Sequence, residues 1–140
     1  MKRIPAIKTV MTPFPYSIKP KSEVAVALDT MNDHGIHHLP VTEGDELTGT
    51  ISSRDIRRRM AQEDNVTLKV SDIMSTNTYT VDLSERLDKV LRRMAEDHLD
   101  SVIVTRKGKL AGIFTHFDAY TAFAEFLQEQ VRRSGGNTAA

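Results

Sequence analysis

The chain repeats itself. Slid against itself by 63 positions, it matches without gaps over residues 11 to 55, and nine of those 45 positions are identical. About three would be expected from ordinary residue usage. Met11 falls on Met74, Tyr16 on Tyr79, Leu28 on Leu91 and Met31 on Met94. Val41-Thr42 falls on Val104-Thr105, Leu47 on Leu110, Gly49 on Gly112 and Asp55 on Asp118. A repeat of this length constrains the fold more than any local motif does. One unit of about 60 residues would leave much of its apolar surface in water, so two copies are expected to share a core.

Each copy reads as β-α-β-β-α. Tyr16-Ser17-Ile18 and Tyr79-Thr80-Val81 are short β-prone pieces. Val24, Leu28 and Met31 then recur at helical spacing, as do Leu87, Val90, Leu91 and Met94. Ser22 and Ser84 stand where N-caps are expected, and Gly35 suits a helix C-terminus. Two strands follow, His38 to Thr42 and Leu47 to Ser52, then Val102 to Thr105 and Leu110 to Thr115. Each pair is joined by a short polar loop, and a second helix starts near Ser53 and His116. The expected class is α/β (α+β), two repeats packed through their sheets with pseudo-two-fold symmetry. The expected divisions are 1–62, a polar linker 63–69, 70–133 with a C-terminal helix, and a disordered tail 134–140.

Composition narrows the function classes. Nineteen basic and nineteen acidic residues cancel, which argues against a general electrostatic hold on nucleic acid. Arg57-Arg58-Arg59 is a local basic run, read as a solvated helix face because Glu63 and Asp64 follow. The absence of cysteine removes disulfides, thiolate metal sites and thiol catalysis. The longest apolar run, Val24 to Leu28, is far short of the roughly 20 residues that span a bilayer. No secretory signal is expected, and the default reading is a soluble cytoplasmic protein. His34, His37 and His38 lie close together without a recognisable metal spacing, so no metal site is expected. No acid–His–Ser grouping suggests catalysis.

The end of each copy is the most informative place. Gly49-Thr50-Ile51-Ser52-Ser53-Arg54-Asp55 and Gly112-Ile113-Phe114-Thr115-His116-Phe117-Asp118 share a Gly, a hydroxyl and an Asp at fixed spacing. The hydroxyl ends a strand and a helix begins, where free backbone N–H groups favour an anion. The acid one turn inward can accept from a sugar diol. The same spacing is also an ordinary capping signature, and both readings stand.

His38-Leu39-Pro40-Val41, a short acidic loop, and Leu47 through Ile56 together resemble the cystathionine-β-synthase (CBS) domain. Val10-Met11-Thr12-Pro13 and Val70 to Ser75 resemble the lead-in of each CBS motif. The resemblance runs from about residue 7 to residue 125, so the chain looks like a stand-alone CBS pair, a Bateman module. Such pairs are regulatory modules that bind adenosyl compounds, such as AMP, ADP, ATP or S-adenosylmethionine, between the two sheets. By that resemblance Asp55 and Asp118 hold ribose hydroxyls, and Ser52 and Thr115 contact phosphate. Ser17-Ile18 and Thr80-Val81 line base pockets with the backbone around His38-Leu39-Pro40 and Val102-Ile103. Arg54 and His116 approach phosphates. Copy two departs from the pattern with Ile103 in place of Pro40 and with Phe117 before Asp118. A fold kept as an interaction scaffold without ligand is the alternative. The resemblance also implies a homodimer. The C-terminal helix offers Tyr120, Phe123, Ala124, Leu127 and Val131 as an apolar stripe, either for its own core or for a second copy, and the protein effector is unknown.

Overall fold

The computed structural model describes residues 3–63 and 67–135. The first copy contains β1 (Thr12–Pro13), α1 (Val24–His34), β2 (His38–Glu43), β3 (Glu46–Ser52) and α2 (Ser53–Gln62). The second contains α3 (Val70–Ile73), β4 (Thr80–Asp82), α4 (Leu87–Asp97), β5 (Ser101–Arg106), β6 (Lys109–Thr115) and α5 (His116–Arg133). A 3-10 turn at Ile7–Thr9 opens the chain. Residues 64–66 of the linker and 136–140 of the tail lie outside the described residues.

The two hairpins are copies of one another. β2 pairs with β3 from His38 opposite Ser52 to Glu43 opposite Glu46. β5 pairs with β6 from Ser101 opposite Thr115 to Arg106 opposite Lys109. Both carry the same register irregularity, at Val41/Thr42 and at Val104/Thr105.

The first strand of the repeat forms only in copy two. There β4 runs parallel to β5, and two bonds flank the pairing: Ile103 N–H donates to Tyr79 O and Leu83 N–H to Thr105 O, both at 3.0 Å. In copy one the two donors are Pro40 and Pro20, which have no N–H. Tyr16-Ser17-Ile18 is therefore reduced to a single parallel bridge, Ile18 to Val41, with Ile18 bonded to Pro40 O and Thr42. The Tyr16 carbonyl lacks the partner that the Tyr79 carbonyl has.

The expected serine caps are not used. α1 and α4 begin after Glu23 and Arg86, with no side-chain cap bond at either. Their first N–H groups are met by carbonyls from the opposite copy. Val24 N–H donates to Leu68 O at 3.0 Å, and Leu87 N–H to Pro5 O at 2.9 Å. The segments supplying them run on as reciprocal straps. Val70 N–H donates to Ser22 O and Ile7 N–H to Glu85 O, both at 2.8 Å. Ser84 instead bonds to Asp82, whose carboxyl is held below its ordinary value by the Ser84 hydroxyl and N–H. Gly35 ends α1 in the left-handed region, as its sequence position suggests, and His98 does the same for α4.

Each strap continues across the other copy's hairpin. β1 lies antiparallel to β6, and Ser75 bridges to Thr50 of β3 at the equivalent place. This is where Gly112 and Gly49 are required. A Cβ on Gly112 would stand 2.5 Å from Met11 Sδ and 2.9 Å from Thr12 O. A Cβ on Gly49 would collide with the Ser75 carbonyl. The repeated Met and the repeated Gly thus meet in crossed pairs, each strap lying on the other half.

Two cores follow. One contains Ile18, Val24, Ala27, Met31, Leu39, Val41, Ile51 and Ile56, completed by Leu68 and Val70 from the second strap. The other contains Val81, Leu87, Val90, Met94, Val102, Val104 and Phe114, completed by Ile7 from the first strap. Ile7 and Val70 are fully buried, each contributing about 1.5–3 kcal/mol to holding the halves together. The C-terminal helix α5 is different. None of its residues is buried, so its aromatic stripe does not pack on a core of its own chain. No helix among the described residues is long and apolar enough to cross a membrane.

Candidate functional site

A cleft of about 760 Å³ opens between the halves. Copy two supplies Ile113 and Thr115 from β6 and Phe117 and Asp118 from α5, and copy one supplies Tyr16 and the stretch from Gly35 to His38. The first strap, Thr12 to Pro15, forms a wall. Of the residues singled out in the sequence, His38, Thr115 and Asp118 meet here. Phe14, Tyr16, Ile36, His37, Ile113 and Phe117 were not singled out as contacts. Tyr16 and Phe117 had left a trace, one as a repeat identity and the other as a departure.

Asp118 is fixed at the start of α5. Its Oδ2 accepts the Thr115 N–H at 2.9 Å and lies 3.4 Å from the Thr115 hydroxyl, while its Oδ1 lies 3.4 Å from the Thr12 hydroxyl. This is the capping arrangement of the motif, and it leaves a half-buried carboxylate facing the cleft. Copy one caps differently. There the Ser52 hydroxyl accepts the Asp55 N–H at 3.1 Å, and Asp55 has Arg58 3.9 Å away. At the cleft rim Tyr16 stacks on His34 with ring centroids 3.7 Å apart.

A smaller hollow of about 240 Å³ adjoins the seam and gathers His38, Ser52, Arg54 and His116 around Asp100. His38 Nε2 lies 3.2 Å from Asp100 Oδ1, and Arg54 Nη2 lies 3.4 Å from Asp100 Oδ2. His116 N–H donates to the Asp100 carbonyl, as Ser53 N–H does to that of His37. Burial pushes the His38 imidazole below its ordinary value, and Asp100 offsets part of that effect. Arg54 is thus directed at a protein carboxylate.

The other residues are spread out. Ser17 and Ile18 border a separate hollow beside Lys19 and Val26. The side chains of Leu39, Val102 and Ile103 are fully buried, and Pro40 is buried too, so the backbone is what this stretch can present. Thr80 is exposed and Val81 buried. No group of three or more His, Cys, Asp or Glu side chains suited to a metal ion occurs among the described residues.

The family profile of the CBS domain matches residues 7–62 and again 70–125. The chain belongs to the CBS domain family. The two CBS motifs are the two halves described above. A CBS domain-containing protein of Dictyostelium discoideum is 27% identical, over 87% of this chain and 93% of that one. An inosine-5′-monophosphate dehydrogenase of Korarchaeum cryptofilum is 30% identical over 74% of this chain. The chain spans only about a fifth of that enzyme's length, 21%, and matches it through the CBS region. Among solved structures, a CBS domain pair in complex with 5′-methylthioadenosine and S-adenosyl-L-methionine superposes with a TM-score of 0.80 at 26% identity, covering 88% of this chain and 98% of that one.

Proposed function

We propose that this CBS pair is a regulatory module that binds an adenosyl compound (AMP, ADP, ATP or S-adenosylmethionine among the candidates) and passes its occupancy to a protein partner. The observation that carries this reading is the cleft itself. It brings a ribose-competent carboxylate, Asp118, and a hydroxyl, Thr115, from one half against Tyr16, His37 and His38 of the other. Tyr16 lines that cleft, and its carbonyl, left without a ladder partner by Pro40, is the proposed acceptor for an adenine amino group. The related pair with two adenosyl ligands bound supports the same class.

A ligand spanning both halves would change how they sit, which is what a partner can read, provided it binds two arrangements with different affinity. A regulatory reading is supported by the relatives, since the dehydrogenase matches this chain only through its CBS region and the Dictyostelium discoideum protein is a CBS domain-containing protein over nearly its whole length. The exposed aromatic face of α5 supports a homodimer as the transmitting assembly, with the effector still to be identified. The cytoplasm is the proposed location.

Thermal shift against adenosine, 5′-methylthioadenosine, S-adenosylmethionine, AMP, ADP and ATP is the test. A bound ligand at 100 times its dissociation constant should add about 2.7 kcal/mol. Absence of any shift across the series, with no adenine absorbance in the purified protein, would refute the reading.

A further inference from the structure

The pseudo-two-fold allows each side of the seam to be read against the other. Asp100 faces Arg54, with 3.4 Å between charged atoms. The residues 63 positions away are His37 and Phe117, and they face each other too, with ring centroids 6.5 Å apart. An ion pair on one side of the pseudo-two-fold is an aromatic pair on the other, and all four side chains border the small hollow between them, where Arg54 is committed to Asp100. The aromatic pair also lines the large cleft. No lysine or arginine lines that cleft among the described residues.

Two of the N–H groups at the start of α5 already have acceptors. A helix N-terminus favours an anion through its unpaired N–H groups. Here Thr115 N–H is taken by the Asp118 carboxylate and His116 N–H by the Asp100 carbonyl. The negative charge at this N-terminus is the protein's own. A phosphate brought to Thr115 would meet Asp118 with no arginine or lysine to offset the repulsion. Phe117 lines the cleft, and a thioether or a sulfonium beside its ring would gain sulfur–aromatic or cation–π attraction.

We propose that the Asp118 cleft selects adenosyl compounds whose 5′ substituent carries sulfur and no phosphate. This rests on the adenosyl-binding reading above and narrows it for one cleft.

The test is calorimetric titration of the full chain with 5′-methylthioadenosine, S-adenosylmethionine, AMP and ATP, at pH 8, where an ordinary imidazole is uncharged. Asp118→Asn and Asp55→Asn assign each binding event to its cleft. Phe117→Arg installs the missing cation at an exposed position, and circular dichroism checks that it folds. The expected result is Asp118-dependent binding of at least one sulfur nucleoside, tenfold or more tighter than AMP or ATP. Phe117→Arg should narrow that ratio at least tenfold. Nucleotide binding that depends on Asp55 and not on Asp118 lies outside this cleft, and it supports the proposal only beside Asp118-dependent binding of a sulfur nucleoside; without that binding the proposal is overturned. Asp118-dependent binding of AMP or ATP as tight as that of the sulfur nucleosides overturns it and leaves the adenosyl reading standing. So does a ratio that Phe117→Arg leaves unmoved. No binding of any of the four overturns both.

Discussion

The crossed straps make a quantitative prediction at Gly49. In Gly49→Ala the new methyl meets the Ser75 carbonyl, which accepts Thr50 N–H at 3.0 Å while Ser75 N–H donates to Thr50 O at 2.8 Å. Relief requires the strap to lift. Forcing a methyl into a packed site costs about 1–3 kcal/mol. Loosening two backbone bonds costs about 0.5–1.5 kcal/mol each. Replacing a strand glycine by alanine returns roughly 0.5–1 kcal/mol. The net expectation is a loss of about 2–4 kcal/mol, consistent with the central values of these terms. At Gly112 the nearest obstacle is the flexible Met11 sulfur at 2.5 Å, with the Thr12 carbonyl behind it at 2.9 Å, so Gly112→Ala should lose about 1–2 kcal/mol. Urea denaturation of each single variant, and of double variants with the facing methionine cut to alanine, measures both effects. Met11→Ala should relieve Gly112→Ala, giving a coupling of roughly 1 kcal/mol, whereas Met74→Ala should not relieve Gly49→Ala. A Gly49→Ala protein within 0.5 kcal/mol of the parent, or equal relief at both sites, would refute the crossed-strap account.

Three further outcomes follow from other parts of the molecule. His98 holds a left-handed conformation (φ 55°) where the first motif has Gly35, so His98→Gly should stabilise the chain by about 0.5–1 kcal/mol in the same denaturation assay. Burial lowers the His38 imidazole from 6.5, so between pH 6.5 and its lower folded value only the unfolded chain takes up the proton. Stability should therefore be fully present above pH 6.5 and fall as the pH drops through that window, and His38→Gln should flatten the decline in a denaturation series over pH. Light scattering at micromolar concentration should give a dimer for the parent and a monomer for the double variant Phe123→Asp, Phe126→Asp, because both rings are more than half exposed on α5; a parent that stays monomeric removes the dimer.

Most of the architecture was readable because it follows from periodicity and from self-similarity. Each hairpin strand buries a run of three residues, as at Leu39-Pro40-Val41 and Val102-Ile103-Val104, and α1 and α4 bury Val24 and Met31, Leu87 and Met94 from the expected stripes. What was not readable depends on which half touches which. Ser22 and Ser84 have the right chemistry for caps, but Leu68 and Pro5 reach those N–H groups first from the opposite strap, and no local pattern reports that. The lost strand at Tyr16 is a different case. Pro20 and Pro40 stand in plain view, yet their effect emerges only once Thr105 and Tyr79 identify which bonds a proline removes. At the cleft, the Thr115 and Asp118 spacing is a local capping pattern and was legible. The partners Tyr16 and His37 come from some 80 residues or more away in the chain, and only the fold brings them together.

The crossed straps also bear on how the chain can be divided. Each 63-residue copy keeps its own hairpin and helices but lends the segment that seals its neighbour. A copy cut free would expose a helix start and a hydrophobic trough, and the partner best shaped to fill both is another identical copy. The single chain is, in geometry, an isologous dimer made covalent. Fusion fixes the stoichiometry and removes the requirement of identity. That freedom allows Arg54 and Asp100 to stand on one side of the seam and Phe117 and His37 on the other, in one molecule.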